Sequence, residues 1–247
     1  MMRAGWNLFS VCCLSRLLRE RSHVLIGTNA APHMSAALLT QSLTGRLKVT
    51  VIGSGKHSFL TDDLAEAFHC AAQGRFDCFV IGGGQIDGQA NINLVGVGEH
   101  PKFKVRWPGS HGTPLLYLMI PNAIIFREEH TRRVMVRKVD FISAPGTSQP
   151  ELFRPGGPAS MLTNLGLFAF DARAKRFRLV SVHPGKTLQD IVDNTAFDFD
   201  RAAGIPVTAE PTREEAEGLL AGVTKEVGEI YPQYAEELAR QATAFLE

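Results

Sequence analysis

Apolar and polar positions fall into blocks that set the elements of the first third of the chain. Residues 1–22 (MMRAGWNLFSVCCLSRLLRERS) carry an apolar stretch, Trp6 to Leu14, followed by Arg16, and predict an amphipathic first helix. His23–Gly27 (HVLIG) has strand length and is closed by the turn sequence GTNAAP. Met34–Leu43 returns to helical spacing, and Leu47–Gly53 (LKVTVIG) reads as the next strand. Asp62–Gly74 predicts a helix with acidic residues, Asp62 and Asp63, in its first turn and Gly74 as its stop. Phe76–Gly82 (FDCFVIG) is a third strand. Strand–helix–strand units of this length predict a parallel or mostly parallel sheet with helical covering.

Beyond Gly82 the pattern changes. Ala123–Phe126 and Val134–Ser143 read as strands, and a Pro- and Gly-rich loop, APGTSQPELFRPGGPAS, follows. Met161–Gly185 predicts antiparallel strands joined by a turn at Asp171–Lys175, and Thr187 is placed to cap a short helix in TLQDIVDNT. The remaining residues are helical and charged, with an interruption near Pro232. With no repeat and no clear linker, the expectation is an N-terminal helix (1–22), one α/β domain (23–208) and a helical tail (209–247).

Composition narrows the partners. Of 247 residues 45% are hydrophobic and 21% charged, ordinary for a chain with a substantial core. Lys and Arg total 26 against 25 Asp and Glu, so the basic imbalance of a nucleic-acid or membrane-surface protein is missing. No run approaches the roughly 18 apolar residues of a membrane span, and no small-residue cleavage site follows the first helix. Neither nucleic acid nor membrane is therefore an expected partner. Cys12, Cys13, Cys70 and Cys78 offer no CxxC spacing and read as buried free thiols of a reducing cytoplasm, with no metal site expected.

The chemistry concentrates in IGGGQIDGQANIN, Ile81 to Asn93. A dinucleotide site needs GxGxxG opening a helix, whereas Ala90–Asn93 reads as extended chain, and no GK[ST] follows to make a phosphate loop. Two readings stay open: a tight structural turn, or a bare backbone edge where a substrate carbonyl meets N–H donors beside the Gln85 amide.

At these residues the chain resembles the β subunit of the class I CoA-transferase family. Members run Gly-(Gly/Ala)-x-Gln-Val-Asp and then Gly-Asn-x-Asn, and GGGQIDGQANIN looks like this segment, with Ile86 for Val and Ala90 for Gly. KVRWPGSHG (Lys104–Gly112) resembles the family's basic strand and Pro-Gly-Ser-Gly-Gly loop. EEHTRRVMVRKVDFISAPG (Glu128–Gly146) resembles its Lys-Arg-Arg, Val-Asp-Phe and Pro-Gly segment, and the likeness runs from about Leu25 to Pro206. The resemblance implies an open, mostly parallel α/β sheet with helices on both faces and an antiparallel C-terminal portion (NagB/RpiA/CoA-transferase-like). It also implies an α-subunit partner in a heterodimer or α2β2 assembly, and a coenzyme A thioester as substrate rather than a resident cofactor. In the family a β-subunit glutamate attacks the thioester, and the glycine–glutamine segment stabilises the oxyanion.

One position departs from the family. The nucleophile belongs at the end of the second strand, where this chain has Ile52 and Gly53, and no acidic residue occurs between Glu20 and Asp62. The catalytic candidates are accordingly Gly82, Gly83 and Gln85, with Ser54 as a substitute nucleophile or water holder and His57 as its base. The bland reading of Ser54 is a turn residue, and that of Lys56 and His57 a solvated loop. Gly27, Thr28, Gly53, Asn91, Gly109, Ser110 and His111 are substrate-binding candidates. Glu128 and Glu129 offer a displaced carboxylate against a simpler ion pair with Arg132 or Arg133, and Asn91 and Asn93 more readily tie loop backbone. The activity implied is movement of CoA between carboxylic acids. The alternatives are a CoA-thioester hydrolase or decarboxylase of the same family, or a non-catalytic subunit completing an α chain.

Overall fold

The computed structural model describes residues 4–61 and 63–247. Asp62, expected in the first turn of the third helix, and the first three residues of the N-terminal segment lie outside the described residues. The first elements are α1 (Trp6–Leu18), β1 (His23–Ile26), α2 (Ala31–Thr44), β2 (Lys48–Val51), α3 (Asp63–Ala72) and β3 (Cys78–Ile81). There follow β4 (Gln85–Ile86), β5 (Ile92–Asn93), β6 (Gly96–Val97), β7 (Val105–Arg106), α4 (Thr113–Met119) and β8 (Asn122–Arg127). The C-terminal half carries β9 (Pro158–Thr163), β10 (Gly166–Asp171), β11 (Arg176–Val182), α5 (Leu188–Asn194) and β12 (Asp200–Arg201). Helices α6 (Arg213–Gly218), α7 (Thr224–Gly228) and α8 (Pro232–Leu246) close the chain, with a π-helical turn at Leu219–Val223.

These elements divide into two compact units. The first holds the chain up to Ala67, with Phe76–Val80 and Ala209–Glu247. Its central strand β1 pairs in parallel with both β2 and β3, Ile26 lying opposite Val51 and Val80. Val24, Leu25 and Ile26 are all buried, the run of apolar residues that a strand covered on both faces requires. The Ile52 N–H donates to the Ile26 carbonyl at 2.9 Å, so β1 and β2 end side by side.

Helix α1 corrects the amphipathic reading. Leu8, Phe9, Val11, Cys12 and Leu14 are buried on every side of it, because both α2 and α8 pack against it. Its polar residues are satisfied internally: the Ser15 hydroxyl shares a 2.8 Å hydrogen bond with that of Thr40, and the Arg16 guanidinium holds Glu215 at 2.6 Å. All four cysteines are free and buried, and burial pushes the Cys13 and Cys78 thiols up to about 12. Helix α2 starts at Ala31, three residues before the apolar spacing begins, because Pro32 fits a first helical turn. It ends at Gly45, whose φ of 64° is the left-handed cap. The tail, from Ala209, lies in the same unit as the N-terminal helix, and Thr212 and Glu215 form a capping box at α6.

The second unit holds Phe68–Arg75 and Ile81–Thr208. Here β8 and β9 run parallel, β9, β10 and β11 are antiparallel, and β11 pairs in parallel with β12. The turn between β10 and β11 is closed by Asp171, whose carboxylate accepts from the Arg173 and Ala174 N–H groups at 2.8 and 2.9 Å. Thr187 caps α5 within a full capping box. Val134–Ser143 is not a strand: it makes isolated bridges from Met135 to Ile86 and from Ala144, just beyond it, to Ile92. Its partners β4 and β5 are two residues long, so pairing has nowhere to propagate. With parallel pairs in both units, and antiparallel pairing in the β9–β11 run and the short β4–β5 and β6–β7 pairs, the chain has the α/β fold its sequence predicts.

Candidate functional site

In the second unit, Gly82–Gly84 leaves β3 and enters the β4–β5 hairpin. Packing accounts for two of the three glycines. A Cβ on Gly84 would sit 2.3 Å from the Trp107 ring, and one on Gly83 would sit 2.7 Å from Ile92 Cγ2. At Gly82 the nearest atom would be the Phe126 carbonyl oxygen at 3.7 Å, an ordinary contact. Gly82 is thus the one position of the three where packing leaves room for a side chain.

Gln85 is buried beside this edge. Its Oε1 accepts from Asn93 Nδ2 at 2.8 Å and from the Asp140 N–H at 3.0 Å, while its Nε2 donates to Asp140 Oδ2 at 3.2 Å. Two donors converge on one end of the amide, which fixes its orientation. The amide nitrogen carries two N–H groups, and among the described residues only one is spent, on Asp140. Asp140 is itself held by the Gly98 N–H at 2.8 Å. Asn93 returns to its own loop, donating to the Gly96 carbonyl at 2.7 Å. Asn91 donates to Asp87 Oδ2 at 3.1 Å and accepts from the Gly146 N–H at 3.0 Å.

Gly109, Ser110 and His111 form the turn before α4, with φ of 107° at Gly109 and 44° at His111. The Ser110 carbonyl accepts from the Thr113 N–H at 2.9 Å, and the His111 side chain is exposed. Glu129 pairs with Arg133 and Arg127 and accepts from the Thr131 hydroxyl at 2.7 Å. The Arg133 guanidinium holds the Glu129 carboxyl down to about 2, so this carboxylate is fixed in an ion-pair cluster.

In the first unit the carboxyl ends of parallel β1 and β2 bring Gly27, Thr28, Gly53 and Ser54 together, at the edge where open α/β sheets bind ligands. Gly53 has φ of 80°, which a glycine adopts freely. The loop folds back so that the Val51 N–H reaches the His57 carbonyl at 2.7 Å. The Ser54 hydroxyl accepts from the His57 backbone N–H at 3.0 Å, and among the described residues no hydrogen bond joins it to the His57 ring. That ring instead faces Glu226 of α7, Nε2 to Oε2 at 3.0 Å, as a charge contact rather than an aligned hydrogen bond. Lys56 reaches Glu226 and Glu229 at 3.6 and 3.5 Å.

Sequence reasoning missed Glu226 and Asp140. Asp140 lies in the Val-Asp-Phe segment noted for its resemblance but was given no role, and Glu226 has no motif around it; the fold brings both to their partners. No group of three or more metal-ligating side chains gathers among the described residues. Among the described residues no helix is long and apolar enough to cross a membrane.

Residues 13–194 match the coenzyme A transferase family. The chain is 32% identical over 180 residues to the B-type subunit of the 3-oxoadipate CoA-transferase of Pseudomonas knackmussii, a match that covers 69% of each chain. It is 34% identical over 157 residues to the cholesterol ring-cleaving hydrolase IpdB subunit of Rhodococcus jostii, over 61% of this chain and 60% of that one. In backbone it is similar to the crystal structure of the decarboxylase AibA/AibB, with a TM-score of 0.76, 19% identity and coverage of 94% and 97%.

Proposed function

The chain belongs to the coenzyme A transferase family, as a β-subunit-type member, and from that premise we propose that it works with an α-type subunit on an acyl-CoA thioester. The observation that carries the reading is the Gln85 amide. Buried, oriented by Asn93 and Asp140, and keeping one N–H in reserve, it is a donor whose reorganisation has already been completed by the fold. When a nucleophile attacks a thioester carbonyl, negative charge builds on the carbonyl oxygen. A fixed N–H at the bare Gly82 edge stabilises that charge more in the transition state than in the ground state.

The reaction is movement of CoA between carboxylic acids. It requires a carboxylate to attack the acyl carbon, expel CoA thiolate as a mixed anhydride forms, and later take CoA back as a thioester. The end of β2 offers Ile52, Gly53 and Ser54 for that role, none of them a carboxylate, so the attacking group comes from the partner or from the acid substrate. A second reading is favoured by the His57–Glu226 contact at 3.0 Å: a histidine backed by a carboxylate, on the loop where the family nucleophile belongs, takes a proton from water that hydrolyses the thioester. The soluble location in a reducing cytoplasm expected from the free thiols is part of the same proposal.

Purified complex given acyl-CoA with and without an acceptor acid separates these readings. Transfer shows no net thiol release with or without the acid and forms a new acyl-CoA only when the acid is added, whereas hydrolysis releases free CoA without it and loses that release in His57→Gln. In either case Gln85→Ala lowers kcat by about 100-fold. An unchanged rate in Gln85→Ala defeats the oxyanion assignment.

A further inference from the structure

Helix α2 begins without a cap of its own. Its N-cap, Ala30, has no side chain that can accept a hydrogen bond, and the third helical residue is His33 rather than the Glu or Gln of a capping box. The N–H of buried Ala30 is taken instead by a residue 201 positions away, donating to the Tyr231 hydroxyl at 3.1 Å. That bond closes the loop that leaves β1. Within the loop Asn29 has φ of 53°, a left-handed state that persists only where the surroundings hold it.

Tyr231 is itself fixed at the corner between α7 and α8. Its N–H donates to the Val227 carbonyl at 2.8 Å, its carbonyl accepts from the Ala235 N–H at 3.0 Å, and Pro232 opens the next helix. The same corner reaches the loop that leaves β2. Glu226 faces the His57 ring at 3.0 Å, and Glu226 and Glu229 approach Lys56 at 3.6 and 3.5 Å. The two loops meet, because Thr28 Cγ2 lies 4.0 Å from where a Cβ on Gly53 would sit. The stretch Glu226–Tyr231 thus touches both loops of the strand-end edge. Lys56 and Glu229 are half exposed, and pairs of that kind hold weakly, so the bond from buried Ala30 to Tyr231 is the firmer tie.

We propose that Tyr231 is a positioning residue for the reaction. Through the Ala30 N–H its hydroxyl holds Gly27 and Thr28 against Gly53, and so sets the spacing of the edge at which the thioester is attacked. The inference rests on the reading that a CoA thioester is attacked there. Tyr231 acts through the loop and not on the substrate. Misplacing a reacting geometry by an ångström costs up to about 100-fold in rate. A group that sets alignment rather than uniform binding lowers kcat and leaves KM close to its wild-type value.

Tyr231→Phe keeps the ring and removes only the hydroxyl. Thr212→Ala, which deletes the capping box of α6 in the same unit, is the control for a purely structural loss. Hydrogen exchange at the Ala30 amide of the full chain reads the tether, and steady-state turnover of acyl-CoA by the αβ complex reads its consequence. In Tyr231→Phe the Ala30 amide should exchange about 10-fold faster or more, and kcat should fall about 10-fold with KM within about twofold of wild type. Thr212→Ala should lower the melting temperature at least as far, yet leave kcat and exchange at Ala30 unchanged. An unchanged kcat in Tyr231→Phe overturns the positioning role and leaves the proposed function standing. An equal fall of kcat in Thr212→Ala also overturns it, because the effect is then one of stability. A wild-type complex that turns over no CoA thioester removes the proposed function and the positioning role together.

Discussion

Acidification from pH 8 to pH 5 should weaken the second unit through two buried histidines, before its carboxylates begin to titrate. His130 and His183 are each 2% exposed. His130 Nε2 lies 2.9 Å from the Thr195 hydroxyl, which already gives its proton to the Ile191 carbonyl at 2.7 Å. His130 must therefore donate through Nε2 and accept at Nδ1 from Thr163, 2.8 Å away. His183 repeats the pattern: Nε2 faces the Thr163 carbonyl at 2.8 Å and must donate, leaving Nδ1 to accept from Thr208 at 2.8 Å. A second proton on either ring would turn the threonine hydroxyl away, toward the Gly166 carbonyl at 3.2 Å for Thr163 or the Val182 carbonyl at 3.3 Å for Thr208, and would place a charge in a buried site. Burial lowers both groups from the ordinary 6.5 to about 4, with His183 adding repulsion at His130. The unfolded chain binds these protons below pH 6.5 and the folded chain does not. The stabilisation is thus complete above that pH and is lost as pH falls toward 4. Each histidine costs about 2 kcal/mol between pH 8 and pH 5, so the pair costs about 4 kcal/mol, a large share of a typical domain stability. With a urea m value of about 2 kcal/mol/M, the unfolding midpoint followed by Trp107 fluorescence falls by about 2 M. His183→Gln should remove about half of that pH dependence. A midpoint that stays flat between pH 8 and pH 5, or a full slope in a variant lacking both rings, refutes the reasoning.

Two further predictions concern packing. Gly84→Ala puts a methyl 2.3 Å from the Trp107 ring and should cost about 1–3 kcal/mol in chemical unfolding, while Gly82→Ala costs under about 1 kcal/mol yet lowers turnover. An active Gly82→Ala would show that the substrate does not approach that backbone. In the first unit Glu215 is fully buried; burial alone would raise its pKa, but Arg16 and Arg19 together hold it below its ordinary value. Glu215→Ala strands those guanidinium groups and should cost about 3–5 kcal/mol, read as a drop in melting temperature; a loss under 1 kcal/mol would mean water replaces the carboxylate.

What was legible in the sequence was what local pattern and short motifs encode. β1, β2 and β3 fall within the apolar runs that predict them, and the cap at Thr187 acts through neighbours a few residues away. The Gly-Gly-Gly-Gln run was visible as chemistry, but its division of labour was not. Only the fold shows that Trp107 and Ile92 account for two of the glycines and leave Gly82 to other causes. Misreadings came where distant contacts overrule periodicity. Helix α1 has a mixed pattern yet is enclosed by α2 and α8, and Val134–Ser143 alternates like a strand but meets partners two residues long. Glu226 had no local signal, and Asp140 only its place in the Val-Asp-Phe segment, because their roles lie in His57 and Gln85, far along the chain.

On the proposed reading, what recognises the thioester is separate from what attacks it. The Gly82–Gln85 edge belongs to the second unit and, as the proposed polarising edge, is indifferent to the nucleophile, because any attack on a thioester carbonyl places charge on the same oxygen. The end of β2 belongs to the first unit and, on the same reading, decides which nucleophile this chain can offer. A carboxylate there commits an enzyme to acyl transfer, whereas Ile52–Gly53–Ser54 with a carboxylate-backed histidine leaves water or a partner's group to attack. Substituting glutamate at Gly53 alone would not restore a transferase of the usual kind. Its φ of 80° strains any side-chain-bearing residue.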